Sequence, residues 1–302
     1  MSELTVGTPA AAPASRRRAL LDAEVAALVE AMPGLPVPPD LLSGWSPGLT
    51  GRALEDARRA AWESLARSGV LTRVPGTVAE LPDVVNPAVL EALLLPVAAT
   101  VVVGVRSWVR ETAFAARLAV SGDRGAGVVR RFRVVGGERT AEPGLELGAF
   151  AAESLLGEVL RVLPPGQVGV AGEDATGTSL RAVDSAAVVS ALREGRTDVA
   201  EELARQAGLD GVPAVLEDLA LRREGSVEVS LARPDGLAPA VEATWWLAGG
   251  RWWRAVVEAG EPLQERLHLR ATSREEAGQD LLVALTGLLS AEQDGVEEDS
   301  RG

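Results

Sequence analysis

The sequence predicts an α+β fold built from two copies of one unit. Each copy is an antiparallel β-meander plus a helix, and the pseudo-twofold pair forms a central sheet flanked by helical bundles. Three observations carry this reading. Segments with apolar residues at helical spacing are followed by β-branched runs of period two, and the order occurs twice. PAVLEDLAL (213 to 221) matches PAVLEALLL (87 to 95) at seven of nine positions, an offset of 126 (213 − 87). Carried forward without gaps, that offset places Thr100, Val101, Val103 and Val105 on Ser226, Val227, Val229 and Leu231, and Leu155 and Leu156 on Leu281 and Leu282. That is the signature of an internal duplication.

In the first half, LLDAEVAALVEAM (20 to 32) has helical periodicity and ends at the prolines of GLPVPPDLL. GRALEDARRAAWESLARSGVL (51 to 71) aligns Leu54, Ala57, Ala61, Leu65 and Ala66 on one stripe and stops at Gly69. PAVLEALLL is a third short helix. ATVVVGVRSWV (99 to 109), ETAFAARLAVS (111 to 121), VVRRFRVV (128 to 135) and AEPGLELG (141 to 148) then read as a meander, closed by a helix at FAAESLLGEVLRVLP (150 to 164). The second half repeats this plan through SVEVSLARP, APAVEATWWLA, RWWRAVVEAG and EPLQERLHLR to the helix SREEAGQDLLVALTGLL. The halves span residues 16–165 and 184–290 and are expected to form one compact unit, joined by a Gly-rich polar linker at 166–183.

The termini, 1–15 and the acidic 291–302, are expected to be disordered.

Composition narrows the function. With 302 residues, 47% of them hydrophobic, the chain can bury a sizeable core. No apolar run is long enough to span a membrane, and the N-terminal segment has its arginines in the wrong order for a secretory signal, so the expected address is the cytoplasm. There is no cysteine, which excludes disulfides, thiolate metal sites and thiol nucleophiles. Lysine and tyrosine are absent too, and all 30 basic residues are arginine. The net charge of −13 argues against nucleic acid as a partner.

No catalytic constellation stands out. His268 is the sole histidine, without a GxSxG elbow or cysteine to complete a nucleophile, and reads as a partly exposed strand residue. GDRGAG (122 to 127) and GVAGEDATG (169 to 177) lack both the phosphate-loop lysine and the GxGxxG pattern. Glu275 and Glu276 fall in the first turn of the last helix, after a capping Ser273, where they complement the helix dipole. No enzyme activity, cofactor or metal is expected.

Four of the seven tryptophans crowd into WWLAGGRWWRAVV (245 to 257). If Gly249 and Gly250 form a two-residue turn, Trp246 faces Trp253. Alternation then places Trp245, Leu247, Trp252 and Arg254 on one face and Trp246 with Trp253 on the other. The equivalent stretch of the first half, AVSGDRGAGVVRR (119 to 131), has no aromatic residue, so the fold does not require these rings. The contrast is between a core specific to the second half and a binding surface that its twin lacks, with Trp246 and Trp253 expected on the binding side.

The helical segment with its Pro-rich turn, the helix ending LARSGVL, then NPAVLEALLLP, a four-strand meander and a helix ending LP, repeated once, resembles the EspG family of actinobacteria over residues 20 to 290. That resemblance implies a cytosolic chaperone of type VII (ESX) secretion, which binds PE–PPE heterodimers at the apolar tip of the PPE helical bundle and keeps them soluble until export. It also implies contacts from the central sheet, the C-terminal helical bundle and a loop between the second and third strands. Here that loop is SGDRGAG (121 to 127), which is short for the purpose. Arginine and tryptophan are favoured interface anchors, so Trp246, Trp253, Arg251 and Arg254 of the ribbon and Arg124 of the loop are the expected partner-binding residues. The alternative is a non-catalytic scaffold or regulatory module of the same fold that binds a WXG100-type helical dimer. A homodimer is left open.

Overall fold

The computed structural model describes residues 16–35, 50–163, 177–233, 241–258 and 264–299. At its centre β2 (Val101–Val109) pairs antiparallel with β7 (Arg223–Ala232), with Gly104 opposite Ser230. This pairing fuses two meanders into one sheet. The first consists of β2, β3 (Thr112–Ser121), β4 (Arg124–Val135) and β5 (Glu138–Ala151). The second consists of β7, β8 (Val241–Ala248), β9 (Arg251–Glu258) and β10 (Arg266–Thr272). Two short strands, β1 (Arg16–Leu20) and β6 (Thr178–Arg181), close the outer edges. The ten-stranded order is β1-β5-β4-β3-β2-β7-β8-β9-β10-β6, and every neighbouring pair is antiparallel.

Alternation gives this sheet two different faces. One buries Val101, Val103, Val105, Val227, Val229 and Leu231 under α5 (Leu155–Val162) and α9 (Arg274–Asp299), which contribute Leu155, Val159, Leu281 and Leu285 to the same core. The opposite face carries a helical bundle towards each edge. α1 (Asp22–Ala31), α2 (Arg52–Arg67), α3 (Leu81–Val84) and α4 (Pro87–Leu94) pack with Ala119, Ala126, Val128, Leu145 and Leu147. Beyond β7, α6 (Ala182–Arg193), α7 (Thr197–Gln206) and α8 (Ala214–Leu221) pack with Ala248, Trp253, Ala255, Leu267 and Leu269. Local signals set these helices. Asn86 caps α4 by accepting from the Ala88 N–H at 3.1 Å, with Pro87 at the first helical position. No helix among the described residues is long and apolar enough to cross a membrane.

Several sequence expectations need correction. The linker expected over 166–183 is structured in its described part, where residues 178–181 form β6 and residue 182 opens α6. Backbone bonds to β10 outweigh the polar composition there. The tail expected to be disordered from 291 is helical as far as Asp299, as the continuation of α9. SGDRGAG is almost wholly strand: only Gly122 and Asp123 lie outside the ladder, and Arg124 already pairs with Ser121. β5 runs to Ala151, so the helix expected from 150 begins at Leu155. The uninterrupted offset also fails, because the hairpin turns at Gly122 and Gly249 lie 127 residues apart (249 − 122), one more than 126. Residues 1–15 lie outside the described residues.

The start of α9 is a reciprocal cap. The Ser273 N–H donates to Glu276 Oε2 at 2.7 Å, and the Glu276 N–H donates to Ser273 Oγ at 3.1 Å. That backbone bond, aided by Thr272 and Arg270, holds the Glu276 carboxyl below the usual carboxylate range. A depressed carboxyl contributes stability that is complete above its unfolded pKa, about 4.3, and lost as pH falls through the lower folded value. Ser273→Ala is expected to cost about 1 kcal/mol in chemical denaturation at neutral pH. Glu276→Gln should flatten the acid limb of a melting-temperature profile, and an unchanged limb would remove this cap from that role.

Candidate functional site

Between the two bundles, four strands of the second face stay open among the described residues. Their pairing sets side chains in rows across β3, β2, β7 and β8. One row is Ala113, Trp108, Ser226 and Trp246, and the next is Ala115, Arg106, Glu228 and Thr244. The third is Arg117, Gly104, Ser230 and Glu242. Arg106, Glu228, Ser230 and Glu242 are exposed. The second and third rows line a groove of about 370 Å³. Glycine leaves room at its floor for Ser230: a Cβ on residue 104 would come 2.6 Å from Ser230 Oγ and force that hydroxyl to turn away.

The row beyond one end of the groove is aromatic and cationic. The Arg223 guanidinium lies 5.5 Å from the Trp108 ring centroid and 5.6 Å from that of Trp246. Partial desolvation lowers the Arg223 pKa, nearby Arg193 lowers it further, and Glu228 opposes both. The other end is aliphatic, formed by Val102 and Ala232. The groove therefore offers distinct chemistry along its length.

The expected binding residues separate. Gly249 and Gly250 do form the two-residue turn, both with positive φ, and Trp246 pairs with Trp253. Trp246 is half-buried, packed against the edge of the α6–α8 core, and stands in the row next to the groove. Trp253 has the same facing but is only 4% exposed, sealed beneath the α6–α8 bundle with Val188 and Leu216. It is core, because the bundle covers β9 and stops short of the inner part of β8. Arg254 is also unavailable to a partner: its side chain is 17% exposed, 4.6 Å over the Trp245 ring and 3.9 Å from Asp280 of α9. Burial lowers its pKa against the opposing pull of Asp280. Arg124 is exposed but ion-paired to Glu91 of α4, away from the groove rows, and Arg251 is exposed beside the turn. Trp245 and Trp252 join the core under α9.

Trp108, Arg223, Arg106, Arg117, Glu228 and Glu242 were not singled out from the sequence. They become neighbours only through the β2–β7 pairing, for which no local motif exists. His268 is a partly exposed residue of β10, hydrogen-bonded to Glu258 at 3.1 Å. No group of three or more His, Asp or Glu side chains among the described residues could hold a metal ion.

No protein-family model matches the chain, and no curated protein matches it. Among solved structures it is similar to full-length peroxisomal multifunctional enzyme type 2 from Drosophila melanogaster, at 11% identity over 85% of this chain and 48% of that one, with a TM-score of 0.17. The chain thus spans about half the length of that enzyme. A MaoC-like dehydratase from Phytophthora capsici follows at 11% identity, covering 87% of this chain and 96% of the other, with a TM-score of 0.17. A Mycobacterium tuberculosis protein described as having a double hotdog fold gives 12% identity over 85% and 94%, with a TM-score of 0.13. Likenesses this slight carry neither fold nor activity to this chain.

Trp253→Ala is expected to destabilise the protein by about 3–5 kcal/mol in chemical denaturation, as large core truncations do. Trp246→Ala should cost less than half as much, and equal costs would place Trp246 in the core.

Proposed function

We propose that the protein is a cytosolic chaperone-like binding protein of type VII (ESX) secretion, which holds the apolar helical tip of a PE–PPE-like partner in the central groove. One observation carries this reading: an open sheet face framed by two helical bundles, wide enough for one helix. Its outer strands are three strand spacings apart, about 14 Å, against about 10–12 Å for an α-helix with its side chains. The Trp108, Arg223 and Trp246 cluster supplies the residue types that dominate interface energetics. The resemblance to the EspG family supplies the partner class. The same reading takes the two meanders as a duplicated unit. Its support is that Gly104 pairs with Ser230, 126 residues on (230 − 104), so the strand at the centre faces its own counterpart at the offset seen in the sequence.

The test is co-expression with a PE–PPE heterodimer and, separately, with a WXG100-type dimer, followed by size-exclusion chromatography. Co-elution with the PE–PPE heterodimer and increased soluble yield are expected. Co-elution with the WXG100-type dimer alone would make the protein a scaffold instead, and co-elution with neither ends the secretion reading. In the complex, Trp108→Ala and Trp246→Ala should each raise Kd at least about tenfold. Trp252→Ala, on the opposite face, should leave Kd unchanged per folded molecule.

A further inference from the structure

The groove differs in charge from one bank to the other. On the β3 side stands Arg117, half-buried, its Nε buried without a hydrogen-bond acceptor. On the β8 side stands Glu242, exposed and without an ion-pair partner among the described residues. The two share a row, separated by Gly104 and Ser230. Three strand spacings, about 14 Å, are too far for them to pair with each other. The adjacent row repeats the order of sign, with Arg106 on β2 opposite Glu228 on β7. Within these two rows positive side chains thus come from the first meander and negative ones from the second, over a floor of glycine and serine, while Arg223 of β7 lies outside them, beside Trp108 and Trp246 of the neighbouring row.

We propose that this groove is a bipolar specificity filter. It selects a partner helix carrying acidic side chains on the flank against β3 and basic side chains on the flank against β8, with small or apolar residues over Gly104 and Ser230. The proposal rests on the helix-docking reading above and adds its charge rule. Acids on the β3 flank meet the partly exposed Arg117 guanidinium, whereas a neutral flank covers that charge without pairing it. Successive rows lie two residues apart along a strand, about 6.7 Å, close to the rise of about 6 Å between helix positions i and i+4. Basic residues four apart on one flank therefore meet both Glu228 and Glu242. A helix of uniform charge meets like charge on one bank, which is how charge excludes wrong partners.

The experiment uses the full chain and four synthetic stapled helical peptides with one shared apolar stripe, read by fluorescence anisotropy. Their flanks are glutamate and lysine on opposite sides, all glutamate, all lysine, or all glutamine. The bipolar peptide is expected to bind at least tenfold tighter than the other three. This outcome discriminates, because attraction to a chain of net charge −13 would favour the all-lysine peptide. Arg117→Glu should move the preference to the all-lysine peptide, and Glu242→Arg should move it to the all-glutamate peptide, with melting temperatures near wild type. Equal binding of the glutamine and bipolar peptides, or tightest binding of the all-lysine peptide to wild type, overturns the charge rule and leaves helix docking standing. No binding by any of the four overturns both.

Discussion

Gly104 and Ser230 face each other where β2 meets β7, and the architecture is organised around that contact. Backbone pairing there joins two meanders that would otherwise each end in an unsatisfied strand edge. It also sets the parity of every strand outward from the centre. Val103 and Val105 must then point with Val229 and Leu231 towards α5 and α9, and Arg106 and Glu228 must point away. A register slip of one residue would exchange these sets, burying charge and exposing valine. The apolar core and the polar groove are therefore specified together, on alternate residues of the same strands.

The tryptophan ribbon shows how one hairpin serves both faces. Trp245 and Trp252 pack in the core beneath α9, while Trp246 and Trp253 point to the other side. On that side the boundary of the α6–α8 bundle divides two paired residues. Trp253 lies under the helices, and Trp246 lies at their margin, sharing Arg223 with Trp108 in the row next to the groove. Facing alone does not separate a core indole from a surface one. The extent of the covering layer does.

Much of the fold is legible in the sequence because it depends on local periodicity. The central strands, the Gly249 turn, the tryptophan facing and the capped start of α9 all follow from patterns a few residues long. The edge strands are not legible in this way: RRRAL and TSLR have too few apolar residues to alternate, and both are strands by virtue of the neighbour they bond to. The groove was still less accessible, because residues such as Trp108 and Arg223 become neighbours only through a pairing across more than a hundred residues of chain. Of the residues expected to bind a partner, Trp246 stands beside the groove, whereas Trp253 and Arg254 are covered by helices distant in sequence.

The order in which the chain is made gives the central pairing another consequence. β2 is synthesised well before β7, with strands β3 to β6 and helices α5 to α8 between them. During that interval the first meander carries a valine-rich edge with open backbone donors and acceptors, the kind of template on which other chains add strands. Arg106, set among those valines, breaks the apolar run, and a charge so placed disfavours such association. A charge that faces away from the core in the finished sheet thus also interrupts the apolar edge of the half-made one.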